Sequence, residues 1–328
     1  MIQLNPEVTR EEITFSSADE SSTIHTLIWW PSGDARENPR GVVQVVHGMA
    51  EHVSRYDEFA RFLATNGFVV AGDDHIGHGS SSLPERWGVL PAKNGADILV
   101  KDEGRLRTIM TAKVPNMTPY FFFGHSLGSY MTRVYISHYG HGLSGAILSG
   151  TGTVDPATSK VGYALARAIA AIRGDDYKST FLDSMGVGAY AKAFEDEGQF
   201  AWLSVNKQNV AAYEADEACG FMFSAGGYAS VCALTAEACS KSCAEQVPHG
   251  MPLLFVSGSE DPVGDMGKGV RSAAQLAQDA GQTDVRMHLY GGLRHEILNE
   301  APEAREQVYN DILSWLFEMT PMSNGSAA

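Results

Sequence analysis

Along the 328 residues, short apolar runs alternate with helix-compatible stretches. The segments Glu12 to Ser16 and Ile24 to Trp30 predict two antiparallel strands, and the run Gly41-Val42-Val43-Gln44-Val45-Val46-His47 predicts a third, nearly continuous in β-branched residues. A strand of that composition is covered on both faces, as in the parallel part of an α/β sheet. Further strands are predicted at Phe68 to Gly72, Tyr120 to Phe123, Leu143 to Leu148, Pro252 to Val256 and Val285 to Tyr290. Helices are predicted over Tyr56 to Thr65, Ile98 to Ala112, Ser129 to His138, Val270 to Ala280 and Ala304 to Phe317. The alternation implies an α/β fold, a mostly parallel sheet with helices on both faces, whose strand C-termini share one ligand-binding rim.

The alternation breaks between about Thr151 and Val247, where the chain turns helical and rich in Ala, Phe, Tyr and Met. A stretch this long is no simple connection, so residues 151–247 are expected to form a helical cap inserted into a catalytic domain of residues 1–150 and 248–322. The tail Ser323 to Ala328 is expected to be disordered. A hydrophobic content of 44% allows a large core, and a formal charge of −15 argues against nucleic acid or an anionic membrane as partner. Small neutral substrates remain compatible, and a homodimer stays open. The start Met1-Ile2-Gln3-Leu4-Asn5-Pro6-Glu7 lacks the basic and apolar parts of a signal peptide, and no segment is apolar enough to span a bilayer, so a cytoplasmic protein is expected. Cys219, Cys232, Cys239 and Cys243 contain no Cys-x-x-Cys pair and read as free thiols in a reducing compartment.

Chemistry concentrates in the segment Gly124-His125-Ser126-Leu127-Gly128, which follows a predicted strand and precedes a predicted helix. A serine between glycines at this spacing can sit on a sharp strand-to-helix turn that exposes its hydroxyl, which makes Ser126 a candidate nucleophile. It needs a base, and the base needs an acid to fix its tautomer. Asp261, on the turn Ser257-Gly258-Ser259-Glu260-Asp261-Pro262-Val263, is the best acid, with Glu260 and Asp265 as nearby competitors. His295, in Gly291-Gly292-Leu293-Arg294-His295, is the best base of the eleven histidines, because it follows the acid in order on a post-strand loop. Donors for a developing oxyanion are expected from the backbone N–H groups of Met49, in His47-Gly48-Met49-Ala50, and of Leu127.

With Glu51-His52, Arg55-Tyr56 and Asp74-His75-Ile76-Gly77-His78-Gly79 added, the chain resembles the α/β-hydrolases of the monoacylglycerol lipase, lysophospholipase and serine aminopeptidase-like group. The resemblance implies a doubly wound hydrolase fold with Ser126, Asp261 and His295 as triad, Met49 and Leu127 as oxyanion donors, and a helical lid. It also implies a serine carboxylic ester hydrolase that works through an acyl-enzyme on a small lipophilic ester, with no cofactor. Within the cap, Phe181, Met185, Phe194, Trp202, Phe221 and Phe223 are expected to shelter the acyl chain. Three rivals remain in view. An aminopeptidase or amidase would use the same triad and bind a free amine at Glu195-Asp196-Glu197. A metal-dependent hydrolase would use Asp73-Asp74-His75-Ile76-Gly77-His78, but that spacing fits no standard zinc motif and Gly77 and Gly79 suggest a tight turn, so no metal is expected. A non-catalytic receptor would require a broken triad, and none of the three positions is broken.

Overall fold

The computed structural model describes residues 8–194 and 196–320, so the tail from Ser323 and Glu195 of the acidic cluster lie outside the described residues. Eight strands form one sheet: β1 (Thr9–Ser16), β2 (Thr23–Trp30), β3 (Gly41–Val46), β4 (Phe68–Asp73), β5 (Tyr120–His125), β6 (Gly145–Ser149), β7 (Leu253–Gly258) and β8 (Val285–Tyr290). Their order is β1-β2-β4-β3-β5-β6-β7-β8. β1 pairs antiparallel with β2 and β2 antiparallel with β4, while every pair from β4 to β8 is parallel. Each expected strand is present. β1 begins earlier than its apolar run, because Thr9 to Glu11 pair with Trp30 to Ile28 on an edge whose side chains face water.

The strands β3 to β7 are buried along their whole length, which is why their sequences read as continuous apolar runs. Their side chains alternate between two cores. Tyr120 and Phe122 of β5 face one, packed with the helices Gly95–Lys113 and Leu127–Tyr139, and Phe122 stacks on Tyr135 at 4.5 Å. Phe121 and Phe123 face the other, with the helices Asp57–Thr65 and Pro302–Met319. Burying each such ring contributes about 1.5–3 kcal/mol, so the sheet is a stiff platform for the loops at its C-terminal rim.

Between β6 and β7 the chain forms helices instead of strands, chief among them Pro156–Arg173, Lys207–Ala215 and Ala225–Ala238. The Pro156–Arg173 and Ala225–Ala238 helices pack closely enough that a Cβ on Gly162 would sit 2.9 Å from Cys232 Sγ. Ala225–Ala238 is also bound to the body, with Ser230 donating to the Pro91 carbonyl at 3.4 Å and Ser224 N–H to the Gly88 carbonyl at 2.9 Å. All four cysteines are free thiols, and among the described residues no helix is long and apolar enough to cross a membrane.

Candidate active site

β5 ends at His125 and the next helix begins at Leu127, so the reversal of the chain falls on Ser126 alone. Its backbone lies at φ 54° and ψ −119°, a conformation that costs a non-glycine residue about 1–3 kcal/mol and persists only where the surroundings enforce it. The enforcement is steric. A Cβ on Gly124 would collide with Thr132 Oγ1 and the Gly128 carbonyl, and one on Gly128 with the Val46 and His47 carbonyls. Ser126 is half-buried between buried neighbours and lines a cavity. Leu127 opens the helix, so its N–H has no acceptor within that helix and is free to serve a ligand.

Met49 stands on the loop leaving β3, in direct contact with this turn: a Cβ on Gly48 would lie 3.2 Å from Ser126 Cβ. Gly48 N–H donates to Glu51 Oε1 at 2.6 Å, and the Ala50 carbonyl accepts from Gly220 N–H and the Tyr213 hydroxyl, each at 2.9 Å. These bonds hold Ala50 at a φ of 54°. Met49 and Leu127 therefore line the same cavity as Ser126.

Asp261 and His295 come together, and His295 lines the same cavity as Ser126. His295 Nδ1 lies 2.9 Å from Asp261 Oδ2, with side chains 2% and 0% exposed. Asp261 also accepts from the Ser257 hydroxyl at 3.1 Å and from Val263 N–H at 2.9 Å, which fixes its carboxylate plane. The competitors Glu260 and Asp265 point to solvent. Because Asp261 accepts a hydrogen bond from Nδ1–H, the other ring nitrogen is left as a base. Burial opposes charge on His295, but Asp261, by proximity and by hydrogen bond, then Glu296 and Glu51, outweigh it and raise its pKa above the ordinary value. His125, whose ring lies 4.6 Å from that of His295, moves oppositely: burial first, then His295, push it down to about 4.

A second buried network, not expected from the sequence, ties the loops together. Arg55 reaches Glu296 through two bonds of 2.6 and 2.7 Å and Glu51 at 2.8 Å. Asn209 of the insertion donates to Glu296 at 2.6 Å, and the Tyr56 hydroxyl to Glu51 at 2.8 Å. Burial would raise the Glu296 carboxyl, yet Arg55 and Asn209 hold it well below the usual range. One guanidinium thus joins the Met49 loop to the His295 loop. The signal in sequence was the spacing of Glu51 and Arg55, four apart at a helical turn; the third partner, Glu296, lay 241 residues from Arg55.

The cavity, about 480 Å³, is walled by the insertion. Met185, Trp202 and Phe221 line it, and the Trp202 ring lies 5.2 Å from that of His295. Phe181, Phe194 and Phe223 do not. Phe181 is 55% exposed on the outer surface, Phe194 lies under the Arg294 guanidinium at 3.7 Å, and Phe223 is wholly buried against His78 and Tyr228. The sequence reading missed Val161, Gly162, Leu165 and Ala166 of Pro156–Arg173 and Val231 and Cys232 of Ala225–Ala238, which form the far wall. Their three- and four-residue spacing was the available signal.

The family model described as serine aminopeptidase, S33 matches residues 37–302. The chain is 27% identical over 309 residues to a monoacylglycerol lipase of Mycolicibacterium smegmatis, covering 94% of this chain and 97% of that protein. It is 25% identical over 293 residues to the monoglyceride lipase of Homo sapiens, covering 89% and 86%. Among solved structures, a thermostable carboxyl esterase from Bacillus coagulans in complex with glycerol superposes with a TM-score of 0.87 at 31% identity, covering 95% of this chain and 99% of that one.

Proposed function

The chain belongs to the serine aminopeptidase, S33 family, and from that premise we propose that it cleaves lipophilic monoesters, of the monoacylglycerol kind, through an acyl-enzyme on Ser126. It is a carboxylic ester hydrolase with an α/β-hydrolase fold. The observation that supports the serine mechanism is the buried Asp261–His295 pair, whose histidine lines the same cavity as a strained, half-buried Ser126.

Ser126 Oγ attacks the ester carbonyl while the free ring nitrogen of His295 takes its proton, and Asp261 stabilises the imidazolium. The Met49 and Leu127 N–H groups receive the oxyanion, each donor worth about 2.7–4 kcal/mol in such sites. Collapse passes the proton from His295 to the departing alcohol and leaves the acyl-serine. Water, deprotonated by His295, then attacks it and releases the acid. The acyl chain runs along the apolar wall of Val161, Leu165 and Val231, with residues 151–247 acting as the lid.

An amidase reading would place the substrate's free amine at Glu195-Asp196-Glu197. Glu197 is instead engaged by Arg294 at 2.8 Å, and neither it nor Asp196 lines the cavity. The test is a side-by-side assay of monoacylglycerols, aryl esters of graded chain length and aminoacyl-arylamides. Faster turnover of medium or long acyl esters supports the reading, whereas faster turnover of aminoacyl-arylamides overturns it.

A further inference from the structure

Among the described residues, four tyrosines line the cavity: Tyr130, Tyr190, Tyr213 and Tyr228. The protein uses two of their hydroxyls itself. Tyr213 donates to the Ala50 carbonyl at 2.9 Å, and Tyr228 to Asp183 Oδ1 at 2.6 Å. The hydroxyls of Tyr130 and Tyr190 have no hydrogen-bond partner among the described residues, and neither oxygen is sealed into the packing. Each opens instead onto the cavity that its ring lines. The other buried tyrosines, Tyr56, Tyr120, Tyr135, Tyr290 and Tyr309, all have a hydroxyl partner, as buried phenols usually do.

Both rings stand close to the reacting groups. Tyr130 lies one helical turn beyond Ser126, whose carbonyl accepts its N–H at 3.4 Å, and its oxygen would sit 3.0 Å from a Cβ on Gly152, just past β6. Tyr190 belongs to the insertion. Its ring lies 5.3 Å from that of Trp202, which in turn lies 5.2 Å from that of His295. Burial first, then Tyr190, raises the Tyr130 phenol well above its ordinary value, and burial followed by Asp261 pushes Tyr190 up to about 12. Both phenols are therefore neutral near pH 7, each able to donate one hydrogen bond and accept another.

We propose that Tyr130 and Tyr190 form a subsite for a free hydroxyl that the substrate carries close to its scissile ester, an inference that rests on the proposed ester hydrolysis. Two neutral phenols offer no countercharge, so an ionised group would lose its hydration here without compensation. An aliphatic hydroxyl is itself a donor and an acceptor and matches either phenol. A plain alkyl ester would shut both phenols away unpaired, and that loss discriminates against it. The hydroxyl has two sources: the leaving alcohol, as in a glycerol monoester, or the acyl chain, as in a 3-hydroxyacyl ester. Tyr213 and Tyr228 cannot substitute for the pair, because their hydroxyls already hold the Ala50 carbonyl and Asp183.

The test compares kcat/KM for three esters of one acyl length: the monoacylglycerol, the methyl ester and the methyl ester of the 3-hydroxy acid. Wild type is expected to favour a hydroxyl-bearing ester over the plain methyl ester, and Tyr130→Phe and Tyr190→Phe each to cut that ratio about three- to tenfold. The ester whose ratio falls identifies the source as alcohol or acyl chain. Calorimetric binding to full-length Ser126→Ala makes the same comparison without turnover: Kd should favour the same ester, and adding Tyr130→Phe should remove the preference. A wild type that hydrolyses none of the esters while Ser126→Ala keeps that binding preference would overturn the proposed hydrolysis and support the subsite. Ratios unchanged in both tyrosine variants, or Ser126→Ala binding all three esters alike, would overturn the subsite.

Discussion

At the rim of the sheet a single added methyl is forbidden: a Cβ at Gly128 collides with two carbonyl oxygens, and one at Gly150 would lie 2.8 Å from His295 Cε1. On the far wall of the cavity, Val161 is 70% exposed and shares the lining with Leu165, Val231 and Cys232. The rim is fixed by clashes and hydrogen bonds that tolerate little displacement, and the wall by burial that is non-directional. The proposed function assigns reaction type to the first and substrate choice to the second, so substitutions in the two should differ in kind as well as size.

The largest effect belongs to the rim. Asp261→Asn leaves the shape of the site but removes the charge that orients His295, and kcat/KM should fall about 10⁴-fold in ester assays. A loss under tenfold would mean that His295 is not the base. Arg55→Met leaves Glu51 and Glu296 buried without their shared cation, so about 3–5 kcal/mol of stability should be lost, measured by urea unfolding; an unchanged midpoint would remove the network from its joining role. Substitution of the wall behaves differently. Leu165→Trp should lower kcat/KM for long acyl esters about tenfold while leaving acetate esters within about threefold, and equal losses on both would place the acyl chain elsewhere.

The smallest effect separates the regions most cleanly. In the proposed mechanism the neutral imidazole is the base, and Asp261 raises its pKa, so kcat/KM should fall as pH drops through a value above the ordinary 6.5 or so. Asp261→Asn should move that limb to lower pH, and Leu165→Trp should leave it in place. A profile shifted equally by both would erase the distinction between rim and wall.

What could be read in the sequence follows the same division. The strands β3 to β7 announce themselves as continuous apolar runs because both faces are covered, and Ser126, Asp261 and His295 each stand within a few residues of a strand end. Trp202 and Phe194 look alike in a sequence, yet one ring faces His295 and the other lies under Arg294. Nothing local distinguishes them, since each destination depends on how distant helices pack. Glu296 was hidden for the same reason, its partner lying 241 residues away at Arg55.

The central claim is that Ser126 is the nucleophile, and labelling tests it most directly. Wild type and Ser126→Ala, both shown folded by circular dichroism, are exposed to a fluorophosphonate probe and digested for mass spectrometry, with ester turnover measured in parallel. The adduct is expected on Ser126 in wild type, with neither adduct nor turnover above background in the variant. A variant that labels and hydrolyses esters like wild type would contradict the mechanism outright.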